Sequence, residues 1–206
     1  MKILKIAIII IFVALFISSC ASGPKGTTVT RVAATTQIDL SGNWNDTDVR
    51  MVCEALINDF LQSPRVVQAI AGMGGKTPTV LVGSFRNESS EHINTAIISS
   101  TMETVIFNTG KLDFVAGGSN RDELRSERQD QQTNASESTA SRLANETGAD
   151  FMLFGSVKTI IDRAGNQQVR SYFVNAEITS VETNQRIWMA QNNDIKKQIT
   201  QPRTRL

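Results

Sequence analysis

The chain has one histidine, two cysteines, four prolines and one tyrosine among 206 residues, and no cluster of basic side chains. Each shortage excludes something. With 21 basic and 20 acidic residues spread along the chain, there is no electrostatic footprint for nucleic acid. An aromatic content of 6% argues against a surface that stacks sugars or bases. The single imidazole, His92, has Ser89 and Ser90 nearby, but a triad needs a nucleophile and an orienting acid arranged around it, and helix capping explains both serines more simply. His92 and Cys53 are too few for a zinc site, which takes three or four ligands. The acids outside turns, Asp122, Glu123, Glu127 and Asp130, lie in polar helical stretches, where no apolar cleft splits their pKa values as acid-pair catalysis requires. Gly75-Lys76-Thr77 lacks the leading glycine of a phosphate loop, because that position is Ile70, and it lies between a helix and a strand in the wrong order. The expectation is a chain that is not an enzyme and carries no cofactor and no metal.

What is present begins at the N-terminus. Lys2 and Lys5 precede a 12-residue apolar run, Ile6 to Ile17, which ends in Ser18-Ser19-Cys20. A positive start, an apolar stretch too short to span a bilayer and a small-residue cut site describe an export signal. Cys20 directly after small residues resembles the lipobox of bacterial lipoproteins, with the thiol as acyl acceptor. Residues 1–19 are thus expected to be removed and Cys20 lipidated, with more than one acyl chain for stable attachment. Ala21, rather than Asp, favours the outer membrane. Loss of the signal takes two of the 21 basic residues, Lys2 and Lys5, and leaves 19 against 20 acidic ones. Cys53 then has no disulfide partner within the chain.

Residues 20–37 read as the lipidated Cys and a short tether of about 17 residues, at most roughly 60 Å when extended. Asn45 or Asp46 caps a helix carrying Val49, Val52, Cys53, Leu56 and Phe60 on one face, with Pro64 ending it. Cys53 on that face is a buried small hydrophobe. A Gly-rich turn over Ala71 to Pro78 leads into a strand, Thr79 to Phe85. Ser89 or Ser90 is expected to cap a second helix from Glu91 to Thr109, with Ile98, Met102, Val105 and Ile106 inward and Gly110 as the stop. Leu112 to Ala116 is a strand, Ser119 to Thr133 a solvated helix, and Ser138 to Glu146 a further helical segment. Ala149 to Ile161, Val169 to Val181 and Arg186 to Ala190 then form three hairpin-linked strands, an antiparallel meander. The fold class is α/β: one small domain over residues 38–197, a mixed sheet packed against helices. Residues 198–206 are expected to be a flexible tail.

With these segments in place, the domain resembles the LpoB family of lipoprotein activators of class A penicillin-binding proteins. The resemblance rests on Asp39-Leu40-Ser41-Gly42-Asn43-Trp44-Asn45-Asp46-Thr47-Asp48 and on Val82-Gly83-Ser84-Phe85-Arg86-Asn87-Glu88-Ser89-Ser90-Glu91-His92-Ile93. It continues in Gly148-Ala149-Asp150-Phe151-Met152-Leu153-Phe154-Gly155-Ser156 and Glu182-Thr183-Asn184-Gln185-Arg186-Ile187-Trp188. The last two segments are shared with CsgG-like lipoproteins and the TolB N-terminal domain. The resemblance implies a non-enzymatic regulator on the outer membrane, facing the periplasm, that binds a bifunctional synthase and raises its rate of peptidoglycan synthesis; the soluble domain itself is expected to be a monomer. Enteric members carry a long Pro-rich linker, whereas this tether is short. Recognition is expected on loops displayed by a rigid sheet, with Arg86, Asn87 and Glu88 as the candidate partner-binding residues. The alternative is a CsgG-like secretion or envelope-scaffold lipoprotein, for which Val169 to Val181 is long enough to contribute a barrel strand.

Overall fold

A computed structural model describes residues 27–134 and 148–202. Cys20, the signal over residues 1–19 and the expected segment Ser138 to Glu146 lie outside the described residues. The described chain falls into two units. Residues 27–36 are exposed and contain one turn, in which the Thr36 N–H donates to the Ala33 carbonyl (2.9 Å). The folded unit begins at Gln37.

Helix α1, Asp46–Gln62, is capped as its sequence dictates. The Asn45 side chain accepts from the Asp48 N–H while the Asp48 carboxylate accepts from the Asn45 N–H, a reciprocal capping box. Its apolar face buries Val49, Val52, Cys53, Leu56, Ile57 and Phe60. Pro64 does more than end this helix. It opens a second one, α2 (Pro64–Ala71), because its fixed φ and missing N–H suit the first helical turn.

Strand β1 (Thr79–Asn87) then enters the sheet, and α3 (Thr95–Asn108) crosses to β2 (Asp113–Val115). Two expectations fail in α3. It is capped by Asn94, whose side chain accepts from the Ala96 N–H, rather than by Ser89 or Ser90. Those serines belong to a loop held by Asn87, so His92 precedes the helix instead of sitting in its first turn. Val105 is 42% exposed, since the buried row is Ile98, Met102 and Ile106. Helix α4 (Gly118–Asn134) is polar on every side, as its composition requires.

Strands β3 (Phe151–Ala164) and β4 (Gln167–Ser180) pair over 14 residues each. Each is longer at their shared hairpin than the sequence suggested, because the connection shrinks to Gly165-Asn166 with Gly165 at φ 58°. Strand β5 (Arg186–Asn192) completes the meander, and β6 (Lys196–Thr200) pairs with the other half of β4 on the same side. Residues 186–200 thus act as one long strand broken at residues 193–195, and pairing continues through Thr200, past the expected end of the domain at residue 197. The sheet order is β2-β1-β3-β4-β5, parallel from β2 to β3 and antiparallel from β3 onward.

The core lies between this sheet and helices α1, α2 and α3. Leu153 and Val157 of β3 alternate inward with Tyr172, Val174, Ala176 and Ile178 of β4. Position 155 lies in the same inward row, and glycine fits there because a Cβ would collide with the Phe85 ring. Trp188 is 4% exposed, packs edge-on against Phe60 (5.3 Å, 80°) and donates its indole N–H to Asp59 (2.6 Å).

Candidate partner-binding surface

Arg86 and Asn87 are the last residues of β1, so strand alternation sends their side chains to opposite sides. Arg86 is largely exposed and lies 3.5 Å from Glu88, which also pairs with Lys158 of β3 (3.3 Å). Arg86 borders a hollow of about 420 Å³ on the sheet face away from the helices, with Phe154, Asn175, Glu177 and Met189. Asn87 turns the other way and closes the loop. Its amide donates to the Glu91 carbonyl (2.6 Å) and accepts from the Ser89 N–H (3.0 Å) and hydroxyl (2.6 Å). The structure therefore brings Arg86 and Glu88 together and gives Asn87 the loop-shaping task.

The far end of that loop is fixed by a residue the sequence did not single out. The Glu91 carboxylate accepts from Arg170 Nη1 (2.7 Å), from the Tyr172 hydroxyl (2.7 Å) and from the Trp44 N–H (3.0 Å). Glu91 and Arg170 side chains are each 12% exposed, so this pair is charge-assisted and largely out of water. Trp44 lies against the Tyr172 ring at 5.2 Å. Burial, then the Glu91 hydrogen bond, push the Tyr172 phenol well above its ordinary pKa. Next to this cluster, Lys197 of β6 reaches Asp48 (2.7 Å), Asp39 (3.1 Å) and the Asn43 carbonyl (2.9 Å). Hydrogen bonds from Gln37, Lys197 and Asn45 lower the Asp39 pKa to about 2. Asp48 moves the opposite way, because burial outweighs the help from Lys197.

One signal could have exposed Arg170: it shares the inward phase of β4 with Tyr172, Val174 and Ala176, where a charge must find a partner. Glu91 looked like an ordinary first-turn acid only because the helix was expected to begin there.

On the helix side, α1 and α3 border an apolar groove of about 660 Å³ with Val49, Cys53, Ile57, Ile97 and Val105 along it. Cys53 is 1% exposed, its Sγ lies 3.8 Å from the Ile98 carbonyl oxygen, and burial pushes the thiol up to about 12. No group of three or more His, Cys, Asp or Glu is placed to hold a metal ion among the described residues. His92 is exposed in the loop before α3.

A family model described as "Peptidoglycan-synthase activator LpoB" matches residues 48–193, most of the chain. This protein belongs to the LpoB family. The matched range takes in the 86–91 loop, Arg170 and Tyr172, and stops before Lys197. Among solved structures, the LpoB C-terminal domain from Escherichia coli is 19% identical, with 75% of this chain and 99% of that one covered and a TM-score of 0.43. The LpoB C-terminal domain from Salmonella enterica is also 19% identical, covering 71% of this chain and 97% of that one at a TM-score of 0.42. Lipoprotein GNA1162 from Neisseria meningitidis is 12% identical, covering 62% and 88% at a TM-score of 0.35. No curated protein matches the sequence.

Proposed function

We propose that this LpoB-family protein is a non-enzymatic lipoprotein that binds and activates a class A penicillin-binding protein. The family match over residues 48–193 carries this reading. Cys20 is its lipidation site and holds it on the outer membrane, with the domain facing the periplasm. An activator raises its partner's rate only as far as it prefers the partner's active state, and a rigid recognition surface keeps the ordering cost of binding low. The 86–91 loop has that rigidity: both ends are fixed, one by the Glu88 N–H to the Val157 carbonyl (2.8 Å) and the other by Glu91. Arg86 and Glu88 supply its exposed charges, and Asn87 sets its shape.

The test is glycan synthesis by a purified class A penicillin-binding protein from the same cell. Added protein should raise the rate, and Arg86→Glu should weaken that effect without moving the melting curve. If no synthase from the cell binds or responds, the activator reading is wrong and the secretion or scaffold alternative replaces it. The anchor is tested separately by fatty-acid labelling, which Cys20→Ala should abolish.

A further inference from the structure

We propose that residues 37–45 form a strap whose seating sets the shape of the 86–91 loop, with the Glu91 carboxylate as the coupling point. The strap is the segment through which any pull from the N-terminal side reaches the folded unit, and it is fastened by two cations that face each other on neighbouring strands, Arg170 of β4 and Lys197 of β6. Lys197 holds Asp39 and the Asn43 carbonyl. Arg170 donates to the Gly42 carbonyl (3.2 Å) and to the Asn43 side chain. The same Arg170 nitrogen serves Glu91, and the Tyr172 hydroxyl lies within reach of both Gly42 O (3.2 Å) and Glu91 (2.7 Å).

The Trp44 N–H adds a direct bond from strap to Glu91. Displacing the strap therefore removes one of the three donors of Glu91 and two acceptors of Arg170 in one event. Arg170 Nε already has no acceptor among the described residues, so the guanidinium has little to spare. A buried pair that loses partners relaxes toward water. The Glu91 carbonyl is what Asn87 holds, so a backbone shift at Glu91 passes directly to the loop. The inference rests on the activator reading only for its consequence, namely that the state of the tether tunes partner binding.

The test is amide hydrogen exchange on the full-length chain in detergent, comparing wild type with Asp39→Ala and Lys197→Met. Neither side chain has a bond to the loop in the structure. Exchange in peptides covering residues 37–45 and 87–94 should rise together, by about tenfold for one lost hydrogen bond, while the β3–β4 hairpin stays protected. A strap that exchanges faster beside an unchanged loop overturns the proposal. Lys197→Met also leaves Asp48 without its cation; if it loosens the whole domain, Asp39→Ala decides, because the Asp48–Lys197 pair stays intact there. With a responsive synthase, Asp39→Ala should lower stimulation. The exchange result needs no synthase, so failure of the activator reading leaves it standing on its own.

Discussion

Helices α1 and α4 are both 17 residues long, and almost nothing else about them agrees. Helix α1 has a reciprocal capping box, buries eight residues and packs on both α3 and β5. Helix α4 is polar throughout, and its one large apolar residue, Leu124, is 50% exposed. Arg121 donates to the Ala116 carbonyl just before the helix (3.0 Å), and Gln131 donates to Glu127 one turn back (2.6 Å). A helix of about this length is marginal in water on propensity alone, and most helical stability in proteins comes from burying a face. Helix α1 is therefore part of the domain's cooperative core, whereas α4 gains little from the core and opens at low cost.

Three substitutions test this contrast, in descending order of effect. Phe60→Ala removes the ring that joins α1 to Trp188 and should cost about 3–5 kcal/mol, a large share of a typical domain's stability. Chemical denaturation should show an early midpoint, and an unmoved one would mean that α1 is not part of the core. Asn45→Ala takes away half of the capping box and should cost about 1 kcal/mol, read as a smaller midpoint shift with the slope unchanged. Leu124→Ser should stay within about 0.5 kcal/mol, as exposed positions do. A loss as large as that of the cap would show that α4 packs on something, and the contrast would fall.

The parts of this fold that were legible in the sequence are those where periodicity and punctuation agree. The α1 stripe of Val49, Val52, Cys53, Leu56 and Phe60 was plain, and so was the inward alternation of Val174, Ala176 and Ile178. Where a residue has two local uses, reading the sequence chose the wrong one. Ser89 and Ser90 look like helix caps, but Asn87 draws Ser89 into a loop, and Asn94 takes the cap. Strand β6 was missed because Lys196, Lys197 and Gln198 carry no apolar alternation. Its inward contacts are an ion pair at Lys197 and the Ile199 side chain packed where Gly42 leaves room. Of the candidate surface, the exposed charges Arg86 and Glu88 could be named in advance. Their rigidity could not, since it depends on Glu91, Arg170 and Trp44, which lie far apart in the chain and meet only in the fold.

Cys53 makes this molecule a clock. Its thiol is buried between α1 and α3 along their groove, and burial pushes it up to about 12, which keeps it in the unreactive protonated form. A soluble thiol reagent must therefore wait until α1 lifts away. When reclosing is faster than the chemistry, the labelling rate divided by that of an unfolded control gives the fraction of molecules open at any moment. That population can be followed in native buffer, and a change in it on adding a synthase would report whether docking tightens the helix layer or loosens it.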